Sequence, residues 1–234
     1  MSLTEQLLRP LLASPAKPLI THYDDRLGSR VELSVATTQN WAAKTANWLV
    51  DEFDVEPGDA VAVRLPAHWQ TVGVLLGAWW CGARVVAEPD GARVVFTSPD
   101  EEIDAPAVAV VSLDPMGRGL STPPSGGALD YLSEARMSGD QFVPMQPTPG
   151  DTPALGSSTV DEVWAEATAR AATLGLTAAD RVLSTMDWTV PDGILDGLLV
   201  PLAASAHLVQ VTNADPAKLS ARREAERTTA DLPS

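Results

Sequence analysis

Three histidines, one cysteine and scattered acidic pairs are the residues of this chain whose types could do chemistry. His22, His68 and His207 lie far apart, and none stands in a spacing that holds a metal. They are expected to be ordinary surface or partly buried side chains, with no metal site. Cys81 follows Trp79 and Trp80 at the end of an apolar stripe. Burial is expected there, because a free thiol behaves as a small hydrophobe and needs a nearby cation to become a nucleophile. There is no Gly-x-Ser-x-Gly elbow, no G-x-x-x-x-G-K-[ST] and no G-x-G-x-x-G, so neither a strained nucleophile nor a glycine-rich phosphate loop is spelled out. Asp24-Asp25, Asp51-Glu52 and Asp100-Glu101-Glu102 read as solvated surface. One segment stands apart. Met186-Asp-Trp-Thr-Val-Pro-Asp-Gly193 places Trp188 in a loop between two aspartates. There it either lines a cleft with Asp187, Asp192 and Gly193 or seals the end of the core.

The elements that must position these residues follow from hydrophobic periodicity. Trp41, Thr45, Trp48, Leu49 and Phe53 recur at helical spacing, with Ser34 or Thr37 as cap. Glu56-Pro-Gly-Asp59 reads as a turn, Ala60 to Leu65 as a strand, Trp69 to Trp80 as a second helix, and Ala83 to Ala87 as a strand. Arg93–Thr97 and Ala107–Ser112 are apolar without alternation, the pattern of strands covered on both faces. Residues 113–153 hold seven prolines and six glycines, too many for regular structure, and only Leu129 to Arg136 looks helical within them. Periodicity resumes with a helix from Val160, capped by Ser158 or Thr159 and ended by Gly175. A strand at Arg181–Ser184, a helix before Pro201, a strand at Ala206–Val211 and a helix begun by Asp215-Pro216 follow. Helices alternating with such strands predict an α/β fold with layered, mostly parallel sheets. The expected organisation is a first α/β subdomain over 1–112, a Pro/Gly-rich connection over 113–153, a second α/β segment over 154–227 packed on the same domain, and a frayed tail over 228–234.

Composition narrows the partners. The 234 residues carry 31 acidic against 16 basic side chains, a formal charge of -15. Nucleic-acid binders need clustered cations to displace counterions, so no nucleic-acid role is expected, and anionic membrane surfaces are disfavoured too. The longest nearly apolar run, Val72 to Ala83, is well short of the roughly 20 residues that span a bilayer. Met1 to Pro10 lacks the basic, apolar and small-residue order of a signal peptide. A single cysteine suits a reducing, cytoplasmic location.

Several stretches resemble the opening of adenylate-forming enzymes, the superfamily of acyl-CoA synthetases, peptide-synthetase adenylation domains and luciferases. Val31-Glu-Leu33, the Trp-bearing helix after it, and Val55-Glu-Pro-Gly-Asp-Ala-Val-Ala-Val-Arg-Leu-Pro66 are similar to the family's helix and its V-x-P-G-D-x-V-A-V-x-L-P pattern. Leu75-Leu-Gly-Ala-Trp-Trp-Cys-Gly-Ala-Arg-Val-Val-Ala-Glu-Pro89 resembles the next helix and strand. Leu174-Gly-Leu-Thr-Ala-Ala-Asp-Arg-Val-Leu-Ser184, Asp192 to Leu202 and Ala206 to Val211 resemble the elements that follow the family's phosphate-binding loop. The resemblance implies the first half of the family's large domain.

The departures carry the functional expectation. The family's loop, [ST]-S-G-[ST]-T-G-x-P-K-G, falls where this chain has Thr152-Pro-Ala-Leu-Gly-Ser-Ser-Thr159. Gly156, Ser157, Ser158 and Thr159 are what remains of it by resemblance. Its cation is gone, because no lysine occurs between Lys44 and Lys218, and Arg170 lies further along the helix. The family's later motifs, including the ribose-holding aspartate and the catalytic lysine of its small domain, have no counterpart. Adenylation must neutralise a triphosphate while a carboxylate attacks it, and that electrostatic term dominates such catalysis. The chain is therefore expected to be a non-catalytic or weakly ligand-binding remnant, with no catalytic residue and no resident cofactor beyond residual nucleotide binding at Gly156–Thr159. The alternatives are a structural or regulatory oligomeric scaffold, and a ligase-type enzyme completed by a partner chain. An incomplete sheet leaves an edge to be paired, so a homo-oligomer or a partner protein is expected.

Overall fold

Two sheets organise the chain. The computed structural model describes residues 1–232. Element order is α1 (Leu3–Leu8), β1 (Pro18–Asp24), β2 (Ser29–Ser34), α2 (Val35–Phe53), β3 (Ala60–Arg64), α3 (Trp69–Trp80), β4 (Arg84–Val86), β5 (Val94–Thr97), β6 (Val108–Val110), β7 (Leu129–Asp130) and α4 (Tyr131–Ala135). Then come β8 (Pro153–Leu155), β9 (Ser158–Thr159), α5 (Val160–Thr173), β10 (Arg181–Ser184), α6 (Asp192–Ile194), a π-helical turn (Leu195–Leu199), α7 (Val200–Ala203), β11 (His207–Thr212), α8 (Pro216–Glu226) and β12 (Ala230–Asp231). One sheet runs β12-β10-β11-β1-β2 and the other β7-β6-β5-β3-β4-β8-β9. Pairing is parallel except for β1 with β2 and β8 with β9. This is the layered α/β architecture that the alternating pattern predicts.

The sheets do not follow the division made along the sequence. The first takes β1 and β2 from before the Pro/Gly-rich connection and β10 to β12 from after it. The second takes β8 and β9 from after it. The connection itself holds β7 and α4 and sends Tyr131, Leu132 and Ala135 into the core.

Local chemistry explains the main elements. Ser34 caps α2 by accepting from the Thr37 amide, and Asp54 ends it in the left-handed region at φ 49°. Helices α2 and α3 approach so closely that a side chain at Gly77 would collide with Thr45 and the Ala42 carbonyl. Trp48 and Trp79 are buried between the layers, as their helical spacing predicts.

Three expectations are corrected. The tail over 228–234 is not frayed where it is described: Ala230 and Asp231 pair with Val182 and Leu183, and Leu232 N donates to Leu183 O. Pro233 and Ser234 lie outside the described residues. Helix does not stop before Pro201, because a wide π turn precedes it and Pro201 sits in the first turn of α7, where a missing N–H is tolerated. Asp24 and Asp25 are buried rather than solvated. Asp24 accepts from the Arg26 and Leu27 amides and from Asn213 Nδ2, and Asp25 binds Arg222 of α8 and the Asp215 amide. Glu226 completes this docking of α8, accepting from Tyr23 OH at 2.5 Å, Arg30 Nε at 2.8 Å and Arg181 Nη2 at 2.7 Å.

Candidate functional site

The segment in the position of the phosphate loop is a tight hairpin. Leu155 pairs with Ser158 across it, and Gly156 turns at φ 59°, a left-handed conformation that costs glycine little. Gly156 N donates to Val85 O at 2.9 Å, Val160 N to Thr152 O at 2.9 Å and Asp161 N to Gly150 O at 2.9 Å. Thr159 and Glu162 close a capping box: Thr159 N donates to Glu162 Oε2 at 2.9 Å, and Glu162 N donates to Thr159 Oγ1 at 3.3 Å. The amides that open α5 are thus consumed by the chain itself. The anion that a helix start favours is supplied by Glu162, whose carboxyl is held below its ordinary range chiefly by the Thr159 amide.

The cation expected of such a site is missing from this turn. Arg170 lies along α5, donating to Glu166 Oε1 at 2.7 Å and Asp196 Oδ1 at 2.5 Å, so its charge is spent on acidic neighbours.

The second candidate segment does converge on the first. Pro191 Cβ lies 3.7 Å from the place a Cβ on Gly156 would take. Asp187 and Asp192 are exposed, whereas Gly193 is buried against the Asp187 carbonyl and Thr189. Ile194 N donates to Thr189 O and Leu195 N to Pro191 O, each at 3.0 Å. Trp188 is 4% exposed, packs in the main core and lies across Gly197 of the π turn. Two open depressions lie elsewhere. One of about 810 Å3 runs between the loops around Glu101 and Ser121. One of about 230 Å3 is lined by Arg170, Leu174, Met186 and Leu232 among others. Neither is lined by Gly156–Thr159 or by Asp187–Gly193.

The histidines are where the sequence reading misses most. All three are buried, and His22 and His68 meet edge to face with ring centroids 4.4 Å apart. Burial holds His22 down to about 4 against the opposing pull of Asp24. It also lowers His68 well below the usual range, with His22 adding to the effect. His207 is lowered to about 4, again mainly by burial. The β-rich run Leu19-Ile-Thr-His-Tyr23 was the available signal for His22; nothing in the spacing signals its partner. Cys81 is buried, and its thiol is pushed up to about 12 by that burial, so it stays protonated and inert. No group of three or more side chains that could hold a metal occurs among the described residues. No helix there is long and apolar enough to cross a membrane.

No family model matches the chain. A curated protein of Mycobacterium tuberculosis (strain H37Rv), described as "TIGR03089 family protein", is 46% identical over 239 residues, covering 97% of each chain. The chain belongs to the TIGR03089 family. Among solved structures, this TIGR03089 protein is similar to an acyl-CoA synthetase of Brucella canis, with TM-score 0.82 and 16% identity over 99% of this chain and 47% of that one. It is also similar to a benzoate CoA ligase of Burkholderia xenovorans LB400, with TM-score 0.74 and 16% identity over 99% and 50%. The chain spans about half the length of these solved structures. At such identities they establish the fold, which is that of adenylate-forming enzymes over half their extent.

Proposed function

We propose that this TIGR03089 protein is a non-catalytic module built on the adenylate-forming fold, working through binding rather than through acyl-adenylate formation. One observation carries the reading. The turn that would grip a triphosphate has committed its Gly156 and Thr159 amides and those that open α5 to the chain itself, and the first turn of α5 carries Asp161 and Glu162 instead of a lysine. Bringing a nucleotide's phosphates there would break the capping box and set like charges together in a chain of net charge -15, with nothing to repay that cost. Any nucleotide binding is therefore residual and lies beside Gly156–Thr159 and the Asp187–Gly193 loop. The protein acts with a second copy or a partner chain, in the cytoplasm, and needs no cofactor.

The test is ATP–pyrophosphate exchange by the pure chain across a broad panel of carboxylic acids, run beside thermal shift with ATP, AMP and acyl-CoA. The reading expects no exchange above background. A ligand that binds only the native state raises the melting temperature, so a shift without exchange marks a binding module. Robust exchange by the chain alone overturns the reading. Exchange that appears only when a co-purified partner is added replaces it with a ligase completed by a second chain.

A further inference from the structure

The contact between His22 and His68 joins the two sheets. His22 belongs to β1, which lies between β11 and the edge strand β2 of the five-stranded sheet, and His68 caps α3, directly after β3 of the seven-stranded one. Thr212 Oγ1, at the end of β11, donates to Ala67 O, in the same loop as His68. Its one hydroxyl proton is then committed, so its 3.1 Å contact with His22 Nε2 requires the proton to sit on Nε2. That leaves His22 Nδ1 as a bare acceptor, buried and without a partner. His68 Nδ1 accepts from the Gln70 amide at 3.2 Å, so in the neutral ring the His68 proton is on Nε2.

The site for an added proton is therefore fixed on both rings. On His68 it must go to Nδ1, where it meets the Gln70 N–H and abolishes the cap, since an imidazolium has no acceptor nitrogen. On His22 it must also go to Nδ1, which makes no hydrogen bond and has the other ring in contact; besides Asp24, the Ala67 carbonyl is what favours the charged ring. Asp24 is the one carboxylate that draws a proton toward His22, and it is already bound to two amides and Asn213. The groups facing the pair from other elements are neutral: Gln210 and Thr212 of β11, Val31 of β2, and Ala67 and Trp69 beside His68. Gln70, whose amide the cap holds, also clamps the connection, accepting from Leu113 N at 3.0 Å and donating to Asp114 O at 2.8 Å.

We propose that His22 and His68 form an acid-sensitive latch across the seam between the two sheets, which frees the start of α3 and the Leu113–Asp114 strap when a proton enters it. The proposal is independent of whether any nucleotide binds.

The test uses the full chain. Hydrogen exchange, corrected for intrinsic rates, is compared at about pH 7.5 and pH 5. The expected result is a rise of about tenfold or more in the first turn of α3, in residues 113–118 and at the ends of β1 and β11, with β4 and β5 unchanged. His68→Asn keeps a capping oxygen for Gln70 but cannot titrate, and is expected to abolish the rise. A rise of the same size in His68→Asn, a uniform rise, or none overturns the proposal. Should His68→Asn fail to fold, NMR of the imidazole rings in the unmodified chain decides. The latch expects both rings to stay neutral through pH 6.5 and to titrate only with the local opening. Independent titration near 6.5 in an unchanged fold contradicts it.

Discussion

Helices α3 and α5 both start in the seven-stranded sheet's layer, and both starts are closed by the chain's own side chains, but with opposite chemistry. At α3 the cap is a buried, neutral imidazole. At α5 it is a half-buried threonine and an exposed glutamate in a reciprocal box. The buried closure depends on a proton staying away; the exposed one depends on a charge staying put. Each uses amides that could otherwise meet an anion, so both helix starts are closed by the chain itself.

Acid should separate the two closures most strongly. An unfolded histidine takes up a proton near pH 6.5, whereas folded His22 resists it to about 4. The unfolded state then binds more protons between these values, and stability that is complete above pH 6.5 falls as pH drops toward 4. For His22 alone the loss amounts to about 3 kcal/mol, with His68 and His207 acting in the same direction. Urea midpoints at a series of pH values check this. The α5 box works the other way in range: the carboxyl of Glu162 is lowered, so its contribution persists until pH falls below the ordinary carboxylate range.

The next effect probes the turn before α5. Gly156→Ala places a Cβ at φ 59° and should cost about 1 kcal/mol, read as a lower melting temperature with no change in nucleotide response. Thr159→Ala removes the α5 cap and should cost about 1 kcal/mol as well, independent of pH between 6 and 8. Glu162→Gln is the smallest change, because the amide still accepts from Thr159 N. It should move the melting temperature less than Thr159→Ala does, by calorimetry under the same conditions.

These two helix starts also mark where the sequence can be read and where it cannot. Thr159 and Glu162 are three residues apart, and the box they form is local, so the spacing alone announces it. Val160, Val163, Ala167 and Ala171 then face the core at helical intervals. The turn at Gly156 and the loop that brings Pro191 beside it follow the order in which the family's patterns fall along the sequence. The His22–His68 pair was not, since the contact joins residues on different sheets and depends on how those sheets stack. Burial of Asp25 and Glu226 is not legible for the same reason: their arginine partners come from elements distant in sequence. Trp188 shows the limit from another side, because only the π turn and Gly197 create the surface it covers.

Amide NMR of Gly156 to Glu162 during titration with Mg-ATP addresses the self-closed turn most directly. The account predicts that these signals move at most slightly and without saturation at millimolar nucleotide, while the capping box remains formed. Saturable displacement of the Gly156, Thr159 and Val160 amides, with release of the Glu162 carboxylate, would contradict it.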